Sequence, residues 1–274
     1  MPELPEVETV RRGLSEVLVG RVIEGIAIRR HDLRIPIPRQ LDKRVIGRRL
    51  IEIGRRGKYL LFYLSDGVIV IMHLGMSGRM VISSNDELSK HDHVVLTFGA
   101  GLKVKFNDPR RFGCVDVTTE EELPRHRLLC NLGIEPLTAQ FTEEAMSCGL
   151  QGRKAPIKNL LLDQTIVAGL GNIYVCESLF LARISPRRAG QNVKGVRLLR
   201  LVTSVRKVLL AAIQAGGSSL RDYVQASGES GYFQHRFSVY GREGQPCPSG
   251  NPGHVVDRLV QANRSTFYCS ACQR

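Results

Sequence analysis

The chain is 274 residues long, 43% apolar, and carries 39 Lys and Arg against 26 Asp and Glu, a formal charge of +13 with a pI near 9.8. That length can bury one large core or two moderate ones, and the charge suits a polyanionic partner, nucleic acid first. No segment reaches the length of a membrane span, and the amino terminus lacks a basic region followed by an apolar core, so a cytoplasmic protein with no membrane partner is expected. Residues 1–130 carry 22 basic against 17 acidic side chains and residues 131–274 carry 17 against 9, so the partner is expected to touch both parts.

In chain order the first element is a helix over Val7–Val19, with Val7, Val10, Leu14, Val17 and Leu18 on one face and Arg11, Arg12 and Glu16 on the other. From Val22 to Val117 the pattern changes to short β-rich runs, among them Tyr59–Leu64, Val68–Met72 and His93–Phe98, separated by Asp-Gly, Gly-Arg and Gly-Ala-Gly turns. That spacing predicts a β-sandwich or barrel. The acidic turn Glu120–Glu122 leads into Leu128–Pro136, beyond which the periodicity is helical, and residues 131–138 are the expected hinge. Helices are predicted over Ile157–Asp163, Asn172–Ala182 and Val196–Gln214, the last stopped by Gly216-Gly217. Residues 216–236, rich in Gly and Ser, read as a surface loop with a candidate substrate-capping role. The last segment, 237–274, has hairpin character. The class is therefore α+β, with an N-terminal sandwich (1–130), a helical domain with the capping loop (139–236) and a terminal hairpin.

Four of the seven cysteines, Cys114, Cys130, Cys148 and Cys176, are scattered in apolar segments and are expected to be reduced core residues. The other three cluster at the end of the chain.

Pro2 is the most telling position for chemistry. A small second residue invites removal of Met1, and the exposed α-amino group would titrate at about 8. A neutral amine can attack an electrophilic sugar carbon and form a Schiff base. Glu3 and Glu6 would supply proton-transfer groups beside it. Taken alone, the same residues fit a solvated terminus with two prolines that delay the first helix.

Further along, Lys58 stands in Arg56-Gly57-Lys58-Tyr59, Met76 in His73-Leu74-Gly75-Met76-Ser77-Gly78, His93 in Lys90-His91-Asp92-His93, and Arg110, Arg111 and Phe112 in Asp108-Pro109-Arg110-Arg111-Phe112-Gly113. Together with Met1-Pro2-Glu3-Leu4-Pro5-Glu6-Val7-Glu8-Thr9, these five blocks in order resemble the formamidopyrimidine-DNA glycosylases, essentially end to end. Leu4 is similar to this branch; the related endonuclease VIII branch commonly has Gly there. The resemblance implies a glycosylase that removes oxidised purines from double-stranded DNA and an apurinic/apyrimidinic lyase that nicks the strand. It implies a monomer in the cytoplasm, at the nucleoid, with DNA in a cleft between the domains. The alternatives are an endonuclease VIII type of activity on oxidised pyrimidines, and a non-catalytic protein that binds damage.

A glycosylase must extrude the nucleotide and fill the gap it leaves. By the resemblance, Met76 fills the vacated stack, Arg110 faces the orphaned base and Phe112 wedges the neighbouring step, with His93 and Arg111 as further DNA contacts. Without the flanking Gly and Arg residues, Met76 and Phe112 would read as core side chains capping strand ends, and Lys58 as a solvated lysine at a strand edge. In the implied mechanism the Pro2 nitrogen attacks C1′ with assistance from Glu3, and β- and δ-elimination follow with Lys58 as acid or phosphate clamp.

Gly169-Leu170-Gly171-Asn172-Ile173-Tyr174 is a weak dinucleotide motif, because the sixth position is Tyr174 and no βαβ unit surrounds it. It resembles the turn of a helix–two-turns–helix element, in which Lys158 and Asn172 hold a DNA phosphate at a helix N-terminus. The family's zinc finger uses two Cys pairs. Here Cys269 and Cys272 form one pair, and Cys247 is followed by His254 in place of a second sulfur. A Cys₃His zinc site is chemically reasonable; a metal-free hairpin is the alternative. Arg264 falls where that finger presents an arginine to backbone phosphates.

Overall fold

The computed structural model describes residues 2–218, 231–250 and 252–274. Contacts divide the chain into two compact units, Met1–Cys130 with Ala215–Gln234 and Asn131–Gln214 with His235–Arg274. Residues 215–218 and 231–234 thus belong with the first unit, although the sequence reading carried them with the helical part.

The first unit opens with α1 (Leu4–Leu18), which begins three residues earlier than the apolar periodicity indicates. Pro5 lies in the first turn, where its missing N–H costs nothing. Glu3 and Glu6 form a reciprocal capping box that satisfies two of the orphan donors of that turn. The chain continues through β1 (Ile23–Ile28), the short α2 (Leu41–Val45), β2 (Leu50–Arg56), β3 (Tyr59–Leu64), β4 (Val68–His73), β5 (Arg79–Ser83), β6 (Asp92–Phe98), β7 (Leu102–Asn107) and β8 (Cys114–Thr119). These make two antiparallel four-stranded sheets, in the orders β1-β6-β7-β5 and β2-β3-β4-β8.

Alternation explains the core. Inward-facing Leu60, Phe62, Val70 and Met72 of one sheet and Val94, Leu96, Val104 and Phe106 of the other join Val7, Val10, Leu14 and Leu18 of α1 in a single cluster. Burying a helix face against this core anchors the amino terminus to the most stable part of the unit.

The second unit is helical, with α3 (Glu143–Leu150), α4 (Ile157–Leu162), α5 (Asn172–Leu181) and α6 (Val196–Gln214), followed by the hairpin β9 (Asp257–Gln261) and β10 (Arg264–Tyr268). Ala262 and Asn263 both have positive φ, as a two-residue hairpin turn requires. Within residues 131–138, the Gly133 N–H donates to the Gln164 carbonyl and the Ala168 N–H to the Ile134 carbonyl, so this segment is tied by its main chain to the turn before α5. A Cβ at Gly133 would lie 2.3 Å from the Ile166 backbone, which explains the glycine.

Two expectations need correction. Cys114 and Cys176 are buried, but Cys130 and Cys148 are exposed and are not core residues. Cys148 lies on the outward side of the amphipathic α3, whose buried side chains are Met146 and Leu150. The capping loop expected over 216–236 falls largely on residues 219–230, outside the described residues.

Candidate functional site

Pro2, Glu3 and Glu6 come together at the head of α1, all buried. The Glu6 carboxylate accepts the Glu3 N–H at 2.8 Å through Oε2. Its other oxygen, Oε1, accepts the Ser218 N–H at 2.8 Å and the Ser218 hydroxyl at 3.0 Å. Glu6 is thus a joint between the amino terminus and Ser218, which forms an isolated antiparallel bridge with Tyr232.

Two residues further, Glu8 fastens α1 to β2. Its carboxylate accepts from Arg11 (2.9 and 3.1 Å), Arg12 (2.8 Å) and Arg55 (3.2 Å), and Arg11 also donates to the Ile53 carbonyl. Burial would raise the Glu8 pKa, but the hydrogen bonds from Arg11 and Arg12 and the charges of Arg11 and Arg55 overcome it and hold the carboxyl at about 2.

Lys58 is buried in the turn between β2 and β3, next to Gly57 with its positive φ. His73, at the end of β4, packs against Tyr59 with ring centroids 4.7 Å apart and planes tilted by 56°, and accepts the Gly75 N–H through Nδ1 at 2.9 Å. Burial, reinforced by the charges of Lys58 and Arg34, lowers its pKa to about 3, so the ring is neutral at physiological pH. With Nδ1 accepting, the proton of the neutral ring is on Nε2.

Two loops present the largest exposed apolar side chains of this region. Met76 is 36% exposed in the loop after β4, and Phe112 is 44% exposed in the loop after β7. The Arg110 guanidinium lies over the Phe112 ring, 4.9 Å from its centroid. Arg111 has φ 57° and its guanidinium pairs with Asp32 at 3.1 Å. His93 is buried, with Nε2 at 2.8 Å from the Asp108 carbonyl oxygen.

The second unit assembles its own group. Lys158 on α4 is fully buried, yet its Nζ meets only neutral acceptors among the described residues: the Ser265 carbonyl (3.2 Å) and the Thr266 hydroxyl (2.6 Å). Burial lowers its pKa. Asn172, the first residue of α5, donates its side-chain amide to the same Ser265 carbonyl at 2.9 Å. Arg264, one residue before Ser265, is exposed.

At the chain end the sulfurs of Cys247, Cys269 and Cys272 all lie within 4.8 Å of one another, a group that could hold a metal ion. Cys247 and Cys272 are 3.8 Å apart and His254 Nδ1 is 3.5 Å from the Cys272 sulfur. The Cys247 N–H donates to the His254 carbonyl, closing the turn that brings the two residues back together.

The family models for the Formamidopyrimidine-DNA glycosylase N-terminal domain and H2TH domain match residues 1–115 and 132–224. The chain belongs to the formamidopyrimidine-DNA glycosylase family. Among curated formamidopyrimidine-DNA glycosylases it is 52% identical to that of Dinoroseobacter shibae and 50% identical to that of Ruegeria pomeroyi, each over the whole of both chains. Among solved structures it is similar to the MutM (Fpg) protein of Thermus thermophilus, 40% identical with a TM-score of 0.89 over 99% of this chain and 98% of that one. A Lactococcus lactis Fpg mutant in complex with DNA containing Fapy-dG gives 36% identity and a TM-score of 0.91 over the whole of both chains.

For this glycosylase family member, sequence reasoning missed Ser218, Glu8, Asp108 and Thr266. Ser218 stands 212 residues from Glu6, so no local pattern announces the contact. Asp108 was legible only as the Asp before Pro109, a turn-forming pair.

Proposed function

We propose that this chain is a DNA glycosylase of base excision repair acting on oxidised purines in double-stranded DNA, and that it also nicks the abasic product by β,δ-elimination. The observation that carries the reading is the head of α1, where the buried Pro2 directly precedes the Glu3–Glu6 capping box and Glu6 is tied to Ser218. A nucleophile gains most when its position is fixed before reaction. Solved complexes of the Lactococcus lactis relative contain DNA with Fapy-dG and with an abasic site, which fits both proposed steps.

In this reading removal of Met1 leaves the Pro2 secondary amine. Its lone pair attacks C1′ of the extruded nucleotide, the glycosidic bond breaks, and the departing base takes a proton for which Glu3 is the proposed donor. The attacking nitrogen then loses its proton and its lone pair breaks the C1′–O4′ bond, O4′ taking up a proton, which leaves an iminium at C1′. The iminium acidifies the C2′ proton, and loss of that proton expels the 3′ phosphate. A second elimination then releases the 5′ phosphate. Lys58 serves as acid or phosphate clamp. Glu6 serves chiefly by positioning, since both its oxygens are already occupied by donors.

Met76 fills the gap, Arg110 leaves its resting place on Phe112 to face the orphaned base, and Phe112 enters the neighbouring step. His93 and Arg111 flank them. Their contacts to the Asp108 carbonyl and to Asp32 suit residues that shape the loop as well as meet the backbone. Lys158, Asn172 and Arg264 offer cationic and N–H groups to a phosphate at the N-terminus of α5. The buried Lys158 charge, solvated only by neutral acceptors, suits an anion arriving beside it.

The donor set at the chain end fits zinc. A tetrahedron with metal–sulfur bonds of about 2.3 Å and metal–nitrogen bonds of about 2.0 Å has sulfur–sulfur edges of about 3.8 Å and sulfur–nitrogen edges of about 3.5 Å. The Cys247–Cys272 and Cys272–His254 separations, 3.8 and 3.5 Å, match two of those edges, but His254 lies outside the group formed by the three sulfurs, so its ring would have to move closer to complete the fourth position. Cys247, Cys269, Cys272 and His254 would hold a structural ion that fixes the hairpin carrying Arg264. On this reading the enzyme works as a monomer in the cytoplasm, at the nucleoid. No helix among the described residues is long and apolar enough to cross a membrane.

The test is a comparison of single-turnover excision on duplexes carrying 8-oxoguanine opposite cytosine and thymine glycol. Faster excision of 8-oxoguanine is expected. Preference for thymine glycol would move the chain to the endonuclease VIII type of activity, and excision of neither would leave a damage-binding protein.

A further inference from the structure

We propose that Asp108 is the positioning residue that locks the Met76 loop and the Arg110–Phe112 loop into one rigid wedge. This rests on the reading above, in which Met76 and Phe112 enter the base stack.

Asp108 is completely buried, and its carboxylate spends one oxygen on each loop. Oδ1 accepts the hydroxyl of Ser77, the neighbour of Met76, at 2.8 Å; Oδ2 accepts the N–H of Gly113, the neighbour of Phe112, at 2.8 Å. The bridge has a second span, because the Ser77 oxygen accepts the Arg110 N–H at 3.3 Å. The Asp108 main chain is itself fixed. Its N–H donates to the His91 carbonyl, and its carbonyl receives the Arg111 N–H and lies 2.8 Å from His93 Nε2.

The loops also touch directly. A Cβ at Gly75 would fall 2.4 Å from the Phe112 carbonyl carbon and the Gly113 nitrogen, so the two backbones meet with no side chain between them. Gly113 is closed in on its other side, where a Cβ would lie 2.5 Å from the Phe106 ring and 2.7 Å from the His73 carbonyl oxygen.

Burying a carboxylate is costly unless donors replace its water. Among the described residues Asp108 forms no ion pair, so hydrogen bonds carry that load. A neutral amide could keep the Gly113 span through its oxygen, but its nitrogen can only donate and could not accept the Ser77 hydroxyl as Oδ1 does, so the Ser77 span would have to reverse. Bonds to an ionised acceptor are also shorter and stronger than neutral ones. Two exposed side chains that must open a base stack meet the resistance of base stacking, and a loop free to yield would give way instead. Holding both loops on one buried group makes Met76 and Phe112 push together.

The experiment measures single-turnover excision of 8-oxoguanine and cleavage of a preformed abasic duplex for the full chain and for Asp108→Asn and Ser77→Ala. Each is combined with Met76→Ala, Phe112→Ala and both, and thermal unfolding is followed for all. In the wild-type background the two alanine losses should be strongly non-multiplicative, because the second removes little once the wedge is broken. In the Asp108→Asn and Ser77→Ala backgrounds they should multiply. Ser77→Ala should slow excision about tenfold and abasic cleavage clearly less, since less unstacking is left to do. Ser77→Thr, which keeps the hydroxyl, should restore the rate and the coupling. If Asp108→Asn does not fold, Ser77→Ala carries the test, as it removes only one hydroxyl. Unchanged coupling in Ser77→Ala, or equal loss on both substrates, would overturn the proposal while leaving the proposed function standing. A wild-type chain with no excision would remove both.

Discussion

Glu6 and Ser218 are hydrogen-bonded partners 212 positions apart: one carboxylate oxygen accepts both the N–H and the hydroxyl of the serine, and the other accepts the N–H of Glu3. A residue one turn into the first helix therefore ties the chain's beginning to its last third. The position of Pro2 is a tertiary property and not a local one.

Glu6→Ala removes an acceptor shared by three donors on two residues. Loss of the capping box and of the Ser218 contact should cost on the order of 1–3 kcal/mol. Excision and abasic cleavage should both slow, with kcat falling more than KM rises, because the defect lies in the placement of the nucleophile. Urea unfolding with single-turnover kinetics checks both parts; full activity at reduced stability would make Glu6 purely structural.

Acid should unfold the first unit in two stages, both in the same direction. The folded His73 pKa, about 3, lies below its ordinary 6.5, so the unfolded state binds the extra proton and stability falls as pH drops from about 6.5 toward 3. Glu8 is depressed from 4.5 to about 2, so the stability it contributes is complete above about 4.5 and is lost as pH falls toward 2. Denaturant titrations from pH 7 to pH 3 should show the decline. Glu8→Gln should flatten its lower part, and a stability that stays level over that range would contradict both assignments.

The hairpin at the chain end should depend on metal. The purified chain should hold about one zinc, and His254→Ala should lower that content, loosen residues 237–274 and weaken DNA binding while sparing imine formation on a small abasic substrate. Metal analysis and proteolysis of the hairpin measure this. An unchanged zinc content would remove His254 from the ligand set, and a zinc-free wild type would leave a hairpin held by hydrogen bonds alone.

Much of this architecture is readable along the chain. The run Tyr59–Leu64 coincides with β3 and Val196–Gln214 with α6, because period-2 and period-3.6 burial each leave a local mark. The five sequence blocks identify the residues at the head of α1 and on the two loops. What they leave out is the hardware between them. Asp108 works through Ser77 and Gly113, Glu8 through Arg55, and Lys158 through Thr266 some hundred residues on, and each pairing is created by strand order or helix packing. Cys130 and Cys148 erred for a related reason: an apolar neighbourhood in sequence does not say which side of an element faces out.

Blocking the terminus should separate chemistry from binding. Retaining Met1 or adding an N-terminal tag should abolish excision and strand cleavage but leave binding to an abasic-analogue duplex within a few fold, and Pro2→Gly, with a primary amine, should keep part of the imine chemistry at altered rate. Full strand cleavage by a tagged, unprocessed chain would rule out Pro2.

Borohydride trapping on an 8-oxoguanine duplex probes nucleophile, chemistry and substrate together. Reduction of the imine should freeze a covalent protein–DNA complex, with peptide mapping placing the adduct on Pro2. A chain that binds and excises 8-oxoguanine without any trapped complex, or an adduct on a lysine such as Lys58, would contradict the account.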